Sequence, residues 1–341
     1  MTLNKGVDLI IDVHGHMSAP AEFYAWKAGL LSHRGAHGGK PPAISDDSLR
    51  ESYLAPHPSF GDKSHMEHLD GAEITTQFIS PRPYQMMHSE RPAKLVEWFT
   101  AETNNLIHRA TELFPGRFKG VAGLPQSPDL TPAQWIPELR RAVTELGFVG
   151  AMLNTDPHEG TETPLALGDR YWYPVYEALC DLNIPVLIHS AGCKPPAREP
   201  YSLHFIQEET IAVWSLINSK VFTDFPDLNV IVSHGGGAIP YQVGRFLPSI
   251  ARTGVSYLDG LRKLWFDSCL YTQDGLELLI KVVGSDRILF GSEKPGTGSQ
   301  IDPDSGRWFD DIHLLLRDID WLPENELDSI MSGNARALFG V

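Results

Sequence analysis

The stretch that decides the fold is "LIIDVHGHM", residues 9–17, near the start of a chain of 341 residues. Its apolar residues surround one aspartate and run into two histidines, His14 and His16, with a single glycine between them. A short apolar run of this kind is typical of a strand that is covered on both faces. The two histidines therefore stand at the carboxyl end of a predicted buried strand.

The rest of the chain repeats this arrangement. Strands are predicted at 8–16, 75–80, 117–125, 147–154, 183–190, 228–236, 263–270 and 287–293. Amphipathic helical patterns lie between them, most clearly at 92–114, 132–146, 171–182, 204–225 and 274–284. Eight strands that alternate with helices predict an α/β protein, a single (β/α)8 TIM barrel over residues 1–341. The rival fold is a doubly wound open sheet, but the glycine-rich turn that usually follows its first strand is absent from this sequence.

Two connections are longer than a bare barrel requires. Residues 17–64 are rich in Gly, Pro and His, and residues 294–307 form a second long connection after the last strand. Both would leave the carboxyl-terminal face of the barrel. Structureless connections of this length are usually functional, so 17–64 is interpreted as a long loop insertion that could act as a lid.

Composition limits the class of partner. The formal net charge is −15, which argues against nucleic acid. No apolar run approaches the roughly 20 residues that span a bilayer, so no membrane partner is expected. Three cysteines without a CxxC pair, and an N-terminus without the signal-peptide pattern, indicate the cytoplasm. The expected partner is a small molecule.

Polar residues that can bind a metal recur at the strand ends. His14 and His16 close strand one, His189 closes strand five, His234 closes strand six and Glu293 closes strand eight. Barrel enzymes keep their chemistry at this face, and an H-x-H pair on a strand aims both rings the same way. Each motif alone has an ordinary structural explanation: a chance pair, a core histidine, a glycine turn or a capping carboxylate. Their joint occurrence predicts a divalent metal centre, with Zn²⁺ favoured and Mn²⁺ or Fe²⁺ also accepted.

The motifs "IDVHGH", "PVLIHS", "VIVSHGGG" and "ILFGSE" occur in this order and resemble the amidohydrolase superfamily. Within it they are similar to the amidohydrolase-2 branch of decarboxylases and hydratases, most of which end strand eight in Gly-Ser-Asp or Gly-Thr-Asp. Here that strand ends in "FGSE". With "ISPRP" and "ELGFVGAMLNTDP", this feature resembles the 4-oxalomesaconate hydratases, zinc enzymes of the protocatechuate 4,5-cleavage pathway of lignin-derived aromatics.

The resemblance implies a hydro-lyase that adds water across the C=C bond of an unsaturated keto or enol tricarboxylic acid, forming 4-carboxy-4-hydroxy-2-oxoadipate from 4-oxalomesaconate. His14, His16 and His189 are then zinc ligands, and Glu293 is the fourth ligand or the base. His234 is the candidate general acid or base, and the alternatives are a further zinc ligand or a purely orienting residue. Substrate carboxylates need guanidinium, amide or other donors, and the candidates are Arg82, Asn154, Tyr201, Arg245 and Lys294.

Three other functions stay open at the level of sequence. A metal-dependent decarboxylase of an aromatic or semialdehyde acid would use the same histidines. A lactone or amide hydrolase of the superfamily often holds two metals bridged by a carboxylated lysine at the end of strand four, where this chain has "AMLN". A barrel that keeps the metal only as a structural element is the third. The resemblance also implies a homodimer or higher homo-oligomer.

Overall fold

The computed structural model describes residues 9–195, 199, 201–254 and 256–341. All eight predicted strands are present, and each is shorter than the apolar run that predicted it. Residue 8, the start of the first predicted strand, lies outside the described residues. The strands are β1 Ile11–His16, β2 Thr76–Ser80, β3 Phe118–Ala122, β4 Gly150–Leu153, β5 Val186–Ile188, β6 Val230–Val232, β7 Trp265–Asp267 and β8 Ile288–Leu289.

The strands form one parallel sheet in the order β1 to β8. The first strand also meets the chain that follows the last one: the Val13 N–H donates to the Phe290 carbonyl at 2.9 Å, and the Glu293 N–H donates to the His14 carbonyl at 2.7 Å. These two bonds join the edges of the sheet. The predicted (β/α)8 barrel is thereby confirmed.

Helices follow every strand among the described residues. They are α1 Ala21–His33, α2 Asp46–Leu54, α3 His65–Gly71, α4 Lys94–Leu113, α5 Pro132–Thr144, α6 Tyr173–Leu182, α7 Ser202–Ile217, α8 Val221–Asp224, α9 Val243–Phe246, α10 Ile250–Thr253, α11 Tyr257–Leu261, α12 Gln273–Val283, α13 Ile312–Arg317, α14 Glu324–Asp328 and α15 Asn334–Phe339. The helix predicted at 204–225 is two helices, α7 and α8. None of the described helices is long and apolar enough to cross a membrane.

The segment 17–64 is not the structureless loop that its composition suggests. It contains α1 and α2, and Ser45 caps α2 by accepting a hydrogen bond from the Ser48 N–H at 3.0 Å. The Gly- and Pro-rich parts, 34–43 and 55–61, are only the connections around these helices. The prediction of a loop is therefore wrong for 21–33 and 46–54, whereas closure of the segment as a lid stays a prediction.

Two apolar layers hold the barrel together. The larger layer lies between the strands and the surrounding helices, and the smaller one fills the lumen with one or two residues from most strands. Phe339 of α15 packs edge-on against the lumen residue Phe78, with ring centroids 4.7 Å apart. The lower lumen is thus a packed core, as expected for this barrel, and the polar residues are confined to its mouth.

A bulge in β1 turns its last residues. Ile11 pairs with Thr76 and Asp12 with Gln77, but the register then shifts and Gly15 pairs with Ile79. Bulges redirect side chains and are common beside active sites. Ile11 and Val13 belong to the lumen cluster below the shift. Above the shift, both histidines of the pair face the mouth of the barrel.

Candidate active site

The structure brings together the five residues that the sequence singles out at the strand ends. His14 and His16 end β1, His189 directly follows β5, His234 lies two residues after β6, and Glu293 lies four residues after β8. The ring centroids of His14, His16 and His189 are 4.9 to 5.2 Å apart. The ring of His234 lies 5.3 Å from that of His14 and 4.9 Å from that of His189.

Three of the histidines have Nδ1 engaged and Nε2 free. Nδ1 of His14 donates to Asp267 Oδ2 at 2.7 Å, Nδ1 of His189 donates to the Ser190 carbonyl at 2.7 Å, and Nδ1 of His16 lies 2.9 Å from Ser80 Oγ. Among the described residues, no hydrogen-bond partner meets Nε2 of any of the three, although all three atoms are buried. This is the arrangement of metal-binding histidines, whose second nitrogen is fixed by a neighbouring acceptor.

The distances group the ligand atoms somewhat differently from the sequence. One ligand atom each from His14, His189, His234 and Glu293 lie within 4.8 Å of one another. His16 stands beside this group, with its Nε2 3.6 Å from Glu293 Oε1. Three of the four predicted ligands, His14, His189 and Glu293, thus belong to this group. Its fourth member is His234, whereas the sequence predicts His16.

His234 is distinguished by a carboxylate partner that sequence reasoning missed. Both oxygens of Glu209, on α7, lie within 3.0 Å of His234 Nδ1, and both residues are buried or nearly so. Burial opposes a charge on this ring, but the charge and hydrogen bond of Glu209 outweigh it and raise the pKa of His234 to about 10. The ring also stacks on Phe205, with centroids 6.0 Å apart. Glu209 therefore fixes the orientation of the His234 ring and favours its charged form.

Glu293 stands in a left-handed backbone conformation, with φ +59°. Its Oε1 faces His16, whereas its Oε2 faces His234 Nε2 at 4.0 Å and accepts a hydrogen bond from the Tyr271 hydroxyl at 3.2 Å. Burial acts to raise the pKa of this carboxyl, but the neighbouring His16 and then the charges of His234 and His14 lower it to about 2. The site thus places a carboxylate whose ionised form is favoured beside the His234 ring.

Two cavities open around these residues. The inner cavity, of about 220 Å³, is lined by His234 and Glu293 together with mostly apolar side chains. The outer cavity, of about 820 Å³, is lined largely by the segment 17–64 and includes Arg82. Tyr201 and Thr297 line both. The inner cavity can hold a reacting group and the outer one the remainder of a substrate.

Of the five predicted substrate contacts, the structure places Arg82 and Tyr201 at a cavity. The Arg82 Nε donates to the Met17 carbonyl at 3.2 Å, and its guanidinium lies 5.5 Å from the ring centroid of Phe60. No carboxylate among the described residues lies within ion-pair distance of this guanidinium. Arg82 is thus a cation on the wall of the outer cavity that is available to an acidic ligand.

The structure places the other three predicted contacts at neither cavity. Asn154 is buried, and its amide is used internally: Oδ1 accepts from the N–H groups of Asp156 and Ala191, and Nδ2 donates to the Asp156 carbonyl. Lys294 is also buried, with its ammonium 2.8 Å from Asp310 and 2.6 Å from Asp311. Arg245 is exposed on α9 and lines neither cavity. Their contacts with a substrate stay predictions.

Sequence reasoning missed several supporting residues. Asp267, Glu209 and Ser80 hold the rings of His14, His234 and His16. Asp267 could have been found from the sequence, because it is a lone carboxylate at the end of the apolar strand β7. Glu209 could not, because a glutamate on a helix is ordinarily exposed.

Comparisons with known proteins agree with this fold. The amidohydrolase family model matches residues 11–341. The 2-keto-4-carboxy-3-hexenedioate hydratase of Sphingobium sp. (strain NBRC 103272 / SYK-6) is 38% identical over 97% of this chain and 96% of its own length. The solved 4-oxalomesaconate hydratase from Rhodopseudomonas palustris superposes with a TM-score of 0.86 at 33% identity, covering 97% of this chain and 96% of that one.

A more distant structure shares the fold and contains a metal. The dihydroxybenzoic acid decarboxylase from Polaromonas sp. JS666, solved with bound manganese, superposes with a TM-score of 0.70 at 22% identity and covers 97% of both chains. These findings confirm the resemblance seen in the motifs. The chain belongs to the amidohydrolase family, in its amidohydrolase-2 branch.

Proposed function

We propose that this protein is a metal-dependent hydratase that adds water across the C=C bond of 4-oxalomesaconate. The observation that carries the proposal is the carboxylate of Glu293, which lies 3.6 Å from His16 and 4.0 Å from His234 in a small, mostly apolar cavity. Hydration needs a base for the proton of water and an acid for the carbon, and the two groups stand side by side. The two similar proteins at 38% and 33% identity are both named as hydratases.

A divalent metal fits the donor set. Three buried Nε2 atoms, those of His14, His16 and His189, meet no other partner among the described residues, and each ring is oriented through its second nitrogen. We assign these three as ligands, with Glu293 as the fourth ligand or the base, and Zn²⁺ as the ion because nitrogen-rich sites favour it. When bound, the metal supplies Lewis acidity that makes a nearby water molecule more acidic.

The chain's own residues move the protons. Glu293 accepts a proton from water at a carboxylate oxygen, since its pKa is lowered to about 2 and it is ionised at neutral pH. The oxygen of that water bonds to one carbon of the double bond, and His234 delivers a proton from Nε2 to the other carbon, which gains the electron pair. Glu209 holds the opposite nitrogen and stabilises the charged ring. Arg82 and Tyr201 bind carboxylates of the substrate, which is the small-molecule partner.

One assay separates this function from decarboxylation by the same histidines. Purified protein is analysed for metal and then incubated with 4-oxalomesaconate, while enone absorbance and CO₂ are both followed. We expect the absorbance to fall without CO₂, with about one metal per chain. Release of CO₂ would indicate the decarboxylase, and about two metals per chain would indicate a binuclear hydrolase.

We also propose that the protein acts in the cytoplasm as a homodimer or higher homo-oligomer. Three large apolar side chains of α7, Leu203, Ile211 and Trp214, are 62%, 43% and 50% exposed. Burial of such side chains against a second copy would remove apolar area from water. Sedimentation of the wild type and of Trp214→Glu tests this: the variant should shift toward monomer, and a monomeric wild type would contradict the proposal.

A further inference from the structure

The boundary between the two cavities is made by two hydroxyl side chains. Among the described residues, Tyr201 and Thr297 are the only ones that line both the inner and the outer cavity. His234 and Glu293 line the inner cavity, and Arg82 lines the outer one. A substrate that reaches from Glu293 to Arg82 therefore passes beside Tyr201 and Thr297.

The hydrogen bond between these two residues has a direction. Thr297 Oγ1 donates to the Tyr201 hydroxyl oxygen at 3.1 Å. Because Tyr201 accepts this bond, its own O–H proton is left for another acceptor. The Tyr201 ring is confined by Phe205 and Tyr84, with centroids 4.7 and 5.9 Å away. Burial first, and then the charge of Glu293, raise the pKa of Tyr201 to about 12, so the proton is present at neutral pH.

The loop that carries Thr297 is fixed from both sides. The Gly296 N–H donates to Ser299 Oγ at 3.0 Å, and Ser299 Oγ donates in turn to Asp310. The buried ammonium of Lys294 is paired with Asp310 and Asp311. Thr297 thus sits between anchored residues, and its hydroxyl can impose an orientation on Tyr201.

A tricarboxylate needs a donor at this boundary. Arg82 can bind a carboxylate in the outer cavity, and the metal site with His234 can bind the reacting end. Among the described residues, the boundary between them offers no cationic side chain. We propose that Thr297 is a positioning residue that orients the Tyr201 hydroxyl to donate a hydrogen bond to a substrate carboxylate at this boundary. The inference rests on the proposed function, and it makes Thr297 a determinant of selectivity for tricarboxylates over dicarboxylates.

Four variants test the proposal: Thr297→Val, Thr297→Ser, Tyr201→Phe and the double variant Thr297→Val/Tyr201→Phe. A hydrogen bond to a charged group affects affinity on the order of tenfold to a hundredfold, so Tyr201→Phe should raise the KM for 4-oxalomesaconate by that factor. Thr297→Val should raise it by about threefold to tenfold, and Thr297→Ser, which keeps the hydroxyl, should restore it. The double variant should equal Tyr201→Phe, since Thr297 acts only through Tyr201.

Binding measured without turnover keeps this test separate from the proposed function. Calorimetry on the zinc-loaded protein compares propane-1,2,3-tricarboxylate with glutarate, which lacks the middle carboxylate. We expect the Kd of the tricarboxylate to rise in Thr297→Val and the Kd of glutarate to stay the same. The inference would be overturned if Thr297→Val changed the Kd of both ligands equally, or if the wild type bound both with the same Kd. It would also be overturned if Thr297→Val weakened binding as much in the Tyr201→Phe background as in the wild type. Absence of hydration with normal binding would instead refute the proposed function.

Discussion

At the scale of single residues, the two oxygens of Glu293 have different neighbours. Oε1 faces His16, whereas Oε2 meets Tyr271 and His234. The left-handed backbone of Glu293 is stabilised by its N–H bond to His14. A residue held in this conformation by its surroundings commonly serves a functional role.

The first prediction concerns this carboxylate. Glu293→Gln keeps the size of the side chain but removes its charge, so the base is lost. We expect kcat to fall by about a hundredfold to ten-thousandfold, the usual contribution of a general base. Metal analysis of the variant separates the two roles: retained metal identifies Glu293 as the base, and lost metal as a ligand. Near-full hydration activity would refute both roles.

A second residue-scale prediction concerns the carboxylates of the substrate. Arg82→Met removes the guanidinium on the wall of the outer cavity, and KM should rise by about tenfold or more because a charged hydrogen bond is lost. Arg245→Met is the matched control, since Arg245 is exposed on α9 and lines neither cavity. Steady-state kinetics on both variants provide the measurement. Equal KM values for the two variants would show that Arg82 does not bind the substrate.

The strand ends made the central residues of the site predictable from sequence. His14, His16, His189 and Glu293 follow apolar runs whose carboxyl ends meet at one face of a barrel. Internal partners are not visible in the same way. Asn154 and Lys294 have suitable donors, but tertiary contacts consume them. The supporting carboxylate of Glu209 comes from a distant helix, which a strand-based argument does not reach.

At the scale of elements, the bulge in β1 explains how the H-x-H pair enters the mouth. Simple alternation places His14 and His16 on one face of the strand, but it places Val13, which belongs to the lumen cluster, on the opposite face. The register shift lets the histidines and Val13 lie on the same side of the sheet. Asp12 then lies on the outer side and accepts four hydrogen bonds, from His14, Gln77 and both donors of Ser292. Spacing alone cannot reveal such a shift.

The third prediction tests this element. A Cβ at Gly15 would lie 2.2 Å from the Gln77 side chain, which bonds to Asp12 and to the Lys294 carbonyl. Gly15→Ala should therefore lower the free energy of unfolding by about 1–3 kcal/mol, as overpacking does, and reduce the metal content. Gly29→Ala on α1 is the control, since a Cβ there meets no atom within 4 Å. Urea unfolding with metal analysis decides, and equal behaviour of the two variants would contradict the packing argument.

Elements were predicted well where apolar periodicity is strong. The helices α4, α5, α6 and α12 follow their patterns closely, and all eight strands are present but shorter than their predicted runs. The helices α1 and α2 were missed because Gly, Pro and His cluster on either side of them. The outer cavity is largely walled by this segment, so the sequence located the barrel but not the shape of the space above it.

At the scale of the whole molecule, apolar packing and ionisable groups are separated along the barrel. The lower lumen and outer layer are apolar, whereas buried histidines gather around the mouth and beneath the connecting segments. A histidine that stays neutral when buried becomes protonated on unfolding at a pH below its ordinary pKa of about 6.5. The stability of the fold is thereby coupled to pH through residues outside the metal site as well as inside it.

His313 gives the last prediction. It is buried on α13, and burial above all lowers its pKa to about 4. As pH falls from 6.5 toward 4, the unfolded chain gains a proton that the folded one does not, so the free energy of unfolding decreases. Relative to the wild type, His313→Gln should gain about 2 kcal/mol between pH 7 and pH 5. His37→Gln, at an exposed position, should gain nothing. Urea unfolding at both pH values provides the measurement, and parallel behaviour of the two variants would refute the coupling.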